Sequence, residues 1–354
     1  MKPMKPLKPM QTLALCAAIL AGVPACSDSR SDAELKAEVV AAMHDSIGRD
    51  LADLVQAARD LQSAAPRHAW SATADATSID QMRAAWKRTR AAYEHVEGAT
   101  APIFADLDVT MDARYDDYLV LTGAAGDHAL FDASGVTGMH GIERILYAPE
   151  VRTQVLDFED DLPGYAAPAY PASDDDARSF KDVLVQKLID DATALRDQWQ
   201  PAAIDIEAAY DGLIGLMNEQ KEKVNLAATG EEESRYANLT LFDLRNNLEG
   251  TRKIYALFRP WIQSRAMVDD LDAKIEAKLA ALAALYAATP GDALPAVPDD
   301  WSSDRPTPAS LATPFGMLWK TVHEAVDPAA DGSVVSAMNQ VAVLLGFRPF
   351  SEDP

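Results

Sequence analysis

Apolar residues recur along this chain at steps of three and four, the period of a helix that buries one face. The longest such stripe runs Leu35, Val39, Val40, Met43, Ile47, Leu51, Leu54, Val55, Ala58 and Leu61. Similar spacing predicts helices over 82–96, 180–199, 204–224, 236–261, 267–286 and 334–345. No run of alternating apolar and polar residues predicts a strand, so the expected fold class is all-α. Ser78-Ile-Asp-Gln81 has the form of a capping box, and Asp174, Asp175 and Asp176 put negative charge where a helix N-terminus favours it. Two proline-rich stretches, 162–176 and 289–308, interrupt the periodicity and predict surface connections. Thr89-Arg-x-x-Tyr93 and Thr251-Arg-x-x-Tyr255 form a short internal echo, such as two helical bundles of similar build would leave.

The first 25 residues follow different rules. Lys2, Lys5 and Lys8 precede an apolar run from Leu13 to Val23 that is too short to span a bilayer, the pattern of an export signal. The run ends in Val23-Pro24-Ala25-Cys26, which resembles a bacterial lipoprotein processing site. The expectation is cleavage before Cys26 and acylation of its sulfur, with 26–32 as a polar tether and 33–354 as the helical domain. An ordinary signal peptide with a chance cysteine is the competing reading. A lipid anchor would hold the protein at the periplasmic face of a membrane, inner or outer. Cys26 would be the one cysteine left, so no intrachain disulfide is expected. The whole chain carries a net charge of −23, and losing the three N-terminal lysines makes it more negative still. Such a surface repels nucleic acid and suits cations or basic partners.

Candidate chemistry centres on TGMHGIERILY, Thr137 to Tyr147, where His140 and Glu143 stand three residues apart on an expected helix and so share a face. With 55 acidic residues among 354, one such pair arises by chance, and the motif needs neighbours to mean anything. Glu94 and Glu97 repeat the spacing upstream; Asp112 follows them, and Glu222 lies near the end of a later helix. Packed together, these acids would repel one another unless a cation neutralised them. Oxygen ligands with one imidazole and no thiolate suit iron, manganese or zinc. Singly, each has a plainer reading: a solvated face for Glu94 and Glu97, a cap or turn for Asp112, a surface acid for Glu222. His95 should point away from its flanking glutamates. His44, His68, His128 and His323 lack a carboxylate three residues away and fit surface or capping roles. Trp86, Tyr93 and Tyr147 fit the core.

The ordered blocks YEHVEGATAPIFADLDVTMDARYDDY, TGMHGIERILY and ATGEEESRYANLTLFDLRNNLEGTRKIY resemble the imelysin-type domain of the EfeO and EfeM iron-uptake proteins. The likeness runs over about 33–350. It implies two fused four-helix-bundle-like halves, approximately 33–200 and 201–354, with a cleft between helices. By the same resemblance the metal ligands are His140, Glu143, Glu94, Glu97 and Asp112, with Glu222 placed by its distance before Gly230. Ala237-Asn238-Leu239-Thr240 stands where relatives often carry Ser-His-Thr-Asp. The implied function is a lipid-anchored periplasmic metal-binding component of an iron-uptake system. Its cofactor would be a metal cation, iron first, with zinc, copper or manganese open, and its partners an iron permease and a periplasmic peroxidase-like protein. The alternatives are a metallopeptidase of the imelysin class, disfavoured by the lack of His-Glu-x-x-His, and a metal-dependent binder of an acidic, alginate-like polysaccharide.

Overall fold

The computed structural model describes residues 30–123, 126–127, 129–265 and 269–351. The stretch expected to be an export signal, Cys26 and most of the expected tether therefore lie outside the described residues, as does the Met267 at which one helix was expected to begin. Among the described residues every regular element is helical, and no helix is long and apolar enough to cross a membrane.

Helix α1 (Asp32–Ala64) opens on a complete capping box between Ser31 and Glu34 and buries the stripe from Leu35 to Leu61. Helix α2 (Ala76–Glu94) starts earlier than expected, so Ser78 is inside its first turn rather than at its cap. Asp75 stands at that end, where its carboxylate instead accepts from Ser71 N–H at 2.8 Å and pairs with His68 at 2.9 Å, fixing the preceding loop. Short helices follow: α3 (Glu97–Thr100), α4 (Ala105–Asp112), α5 (Tyr115–Thr122), α6 (Gly138–Leu146), α7 (Thr153–Asp160) and α8 (Asp174–Ser179). A single π turn over Phe180–Leu184 leads into α9 (Val185–Trp199), and α10 (Ile206–Asn225), α11 (Thr240–Gln263) and α12 (Asp269–Ala288) are long again. The chain ends with α13 (Pro308–Leu311), α14 (Pro314–Val326) and α15 (Val334–Leu345).

Two groups of helices result. α1 packs on α2 and α9, with α6 wedged against α2 and α9; α10, α11, α12, α14 and α15 pack on one another. α1 and α2 both meet α11, and α3 lies against α10, so the two bundles share one apolar core. Trp86 is wholly buried there, and its indole N–H donates to Met139 O at 2.9 Å. Arg83 Nε donates to Leu146 O at 3.0 Å, so α2 grips α6 at both ends. The proline-rich connection over 162–173 crosses the first bundle, where Trp70 N–H donates to Pro171 O at 2.9 Å.

Candidate metal centre

All nine residues of α6 are buried. A helix so enclosed must be seated closely, and Gly138 shows how. Its φ is +69°, and a Cβ there would fall 2.3 Å from Met111 O. Only glycine allows this approach, which sets the start of α6 against the end of α4. As a result Asp112, the last residue of α4, faces His140, with 3.4 Å between Asp112 Oδ1 and the imidazole Nε2.

The other imidazole nitrogen, Nδ1, lies 2.7 Å from Glu143 Oε2. The second oxygen of Glu143 accepts from Ala237 N–H at 2.7 Å. Both carboxylate oxygens are thus engaged, and Glu143 orients the imidazole instead of sharing its target. The sequence expectation was that His140 and Glu143 present ligand atoms to one point; in the structure the two side chains bond each other. A carboxylate behind an imidazole is the arrangement that fixes the tautomer of a metal-binding histidine.

Nε2 is buried and has no hydrogen-bond partner. Asp112, His140 and Glu233 each place one potential ligand atom within 4.8 Å of the others. Glu233 belongs to the segment between α10 and α11, which is pinned from several sides. Arg114 Nη1 donates to Glu231 O at 2.9 Å, and Arg235 pairs with Asp116 at 2.8 Å. Tyr236 O–H donates to Glu159, and Ala237 N–H reaches Glu143. Turned inward by these contacts, Glu233 completes a group of two carboxylates and one imidazole.

Beneath it lies Arg90, fully enclosed, whose guanidinium meets Glu94, Asp112, Glu233 and Asp243. Glu94 is spoken for by Arg90 and by the side-chain amide of Asn247. The same amide donates to Glu97 Oε2 at 2.8 Å. Glu94 ends α2 and Glu97 begins α3, so the expected shared helical face is a shared amide across a helix break. Glu97, Asp112, Lys223 and Glu233 line a cleft of about 240 Å³. Glu222 lines it too, as an exposed rim residue outside the three-residue group. Glu94, Glu97, Asp112, His140 and Glu143 are therefore all gathered, with Asp112 and His140 at the centre.

The local field follows from these neighbours. Burial alone would lower His140, yet the carboxylates of Asp112 and Glu143 lift it to about 9. Burial, with Asp112 and Glu233 nearby, pushes Glu97 up to about 8 despite Lys223. Glu233 would also be raised by burial, but Lys223 and Arg90 hold it well below the carboxylate range. A buried imidazole nitrogen facing two carboxylates fits a metal cation of intermediate hardness.

The imelysin family model, peptidase M75, matches residues 47–307. The chain belongs to the imelysin family. The imelysin match includes Asp112, His140, Glu233 and Glu143. The chain is 28% identical over 202 residues to the iron uptake system component EfeO of Escherichia coli K12 and equally to that of Shigella flexneri. Each alignment covers 57% of this chain and 43% of the relative, so this imelysin spans less than half the length of the EfeO proteins it matches. An imelysin-like protein from Psychrobacter arcticum 273-4 has the same fold, with a TM-score of 0.57 at 15% identity over 90% of this chain and 98% of that one.

Three residues that sequence reasoning passed over prove central. Glu233 lay in the quoted GEEESRY block, where three consecutive acids give no local sign of which turns inward. Arg90 lay in the Thr-Arg-x-x-Tyr echo, one helical turn before Glu94, and that i, i+4 spacing was a usable signal. Lys223 adjoins Glu222 and is buried in the cleft where Glu222 stays exposed at its rim.

Proposed function

We propose that this imelysin-family protein captures a metal cation, iron first, for an uptake system, with Asp112, His140 and Glu233 as ligands and Glu97 beside them. The observation that carries this reading is the buried Nε2 of His140, which makes no close hydrogen bond, faces Asp112 from 3.4 Å with Glu233 in the same group, and is oriented by Glu143. Iron is favoured by the name of the EfeO relatives and by the oxygen-rich donor set. In this reading the mature chain is acylated at Cys26, sits at the periplasmic face of a membrane, and passes its ion to a permease working with a peroxidase-like protein.

Calorimetric titration of the purified protein with ferrous and ferric iron, zinc, copper and manganese tests the first part. One tight site, lost in His140→Ala, is the expected result; heats that are the same in both proteins would remove the centre from the account. Deleting the gene in its host should lower iron accumulation in iron-poor medium, and normal accumulation would sever the protein from uptake.

A further inference from the structure

The cleft beside His140 already holds a cation of the protein's own. Lys223 projects from α10 into the cleft, where it is 6% exposed. Its Nζ lies 2.9 Å from Glu233 Oε2, 3.1 Å from Asn247 Oδ1 and 3.9 Å from Glu97 Oε1. Glu233 thereby uses both oxygens, since Oε1 accepts from Arg90 Nη2 at 3.1 Å. An ion that takes Glu233 as a ligand must share or replace one of these two partners.

The two partners are not equally replaceable. Arg90 has no exposed surface, meets four carboxylates and carries its charge on a rigid planar head. Lys223 lines the open cleft, and its ammonium is a point charge on a flexible four-carbon stem. Swinging that stem outward would free Glu233 Oε2 and Glu97 Oε1 together while leaving Arg90 and Asn247 in place.

We propose, resting on the metal-centre reading above, that Lys223 is a tethered counter-cation that holds Glu97 and Glu233 until a metal ion displaces it. A monovalent ion offers these carboxylates no more charge than the ammonium already supplies. A divalent or trivalent ion does, so the lysine sets a lower limit on the charge of the ion admitted. The same side chain keeps Glu233 neutralised whenever the metal has left, which lets the protein give up its ion without its cleft springing open.

The full-length protein, stripped of metal by chelation, supplies the test, with manganese(II) and zinc(II) as probes. Lys223→Met keeps the length and removes the charge. It should bind the ions tighter, on the order of tenfold to a hundredfold, because the metal no longer competes with a buried ammonium. The stripped variant should also melt lower than stripped wild type, while the metal-saturated forms melt close together. A lysine with a merely structural role would leave affinity unchanged or weaken it when lost. Amine labelling of wild type, read by peptide mass spectrometry, gives a second measurement that needs no variant: modification of Lys223 should rise on metal saturation. If wild type binds metal and Lys223 labelling stays flat or falls, or if Lys223→Met binds no tighter, the displacement is wrong and the metal centre stands. If wild type binds neither ion, the metal centre itself falls and the inference with it.

Discussion

His140 Nδ1 and Glu143 Oε2 lie 2.7 Å apart on one turn of α6, so the imidazole is held from behind and only Nε2 remains to meet a ligand. Glu143 thus acts through His140. Glu143→Gln should weaken metal binding by about tenfold to a hundredfold, the usual cost of losing a carboxylate behind a metal-bound histidine. His140→Ala should abolish tight binding, with circular dichroism unchanged in both variants. Equal losses in the two would mean that Glu143 is itself a ligand.

Metal affinity should rise with pH. With His140 at about 9, its Nε2 carries a proton at neutral pH that a metal must expel, and Glu97 at about 8 adds a second of the same sign. Titrations between pH 6 and 9 should show the dissociation constant falling by up to about tenfold per pH unit for each proton expelled. Calorimetry in buffers of different ionisation heat should detect the released protons. A flat profile would contradict the protonated imidazole.

The metal-stripped protein should instead lose stability as pH rises. His140, Glu97, Asp108 and Asp243 all have folded values above their unfolded ones, the last two at about 6. The folded state therefore binds more protons than the unfolded state between about pH 4 and 9. The stabilisation from each group is complete below its unfolded value and disappears as pH passes its folded one. Melting temperatures should fall from pH 5 to pH 9, and saturating metal should flatten the slope by replacing protons. Glu233 is shifted the other way, and its effect is confined to more acidic solutions.

Arg90→Met should be among the most damaging single changes in the chain. It leaves Glu94, Asp243 and part of Glu233 buried without their counter-ion, at a cost of about 3–5 kcal/mol. Thermal denaturation should show the loss even with metal present. Stability close to wild type would mean that these acids take up protons without penalty.

Glu233→Gln and Glu222→Gln form a contrast between the structure and the sequence. The first removes a proposed ligand and should cost most of the metal affinity; the second changes an exposed rim residue and should matter little beyond a weaker long-range attraction. Calorimetry on the pair decides it, and the reverse order would restore Glu222 to the site.

The long helices were legible because burial of one face imposes a period, as in α1, whose stripe from Leu35 to Leu61 is buried as spaced. The short helices α3, α4, α5 and α7 were not, since four to eight residues hold too few turns for a period to show. Asp112 and His140 could be found because each sits in a distinctive block of residues. Glu233 could not be chosen over Glu231 and Glu232, because the choice is made by Arg114, Arg235 and Glu143, which arrive from distant parts of the chain. The sharing of Asn247 between Glu94 and Glu97 was equally hidden: it depends on α11 crossing the break between α2 and α3.

Asp112 and His140 come from the short helices that follow α2, and Glu233 comes from the far side of α10. An ion held by all three ties points of the chain that are about a hundred residues apart, much as a rivet joins two plates. Clips across such long stretches restrict the unfolded chain most strongly. Loading would then be felt throughout the molecule as slower opening of the two bundles from each other, and unloading as a loosening of their seam. The bound ion would be a removable fastener of the protein that carries it.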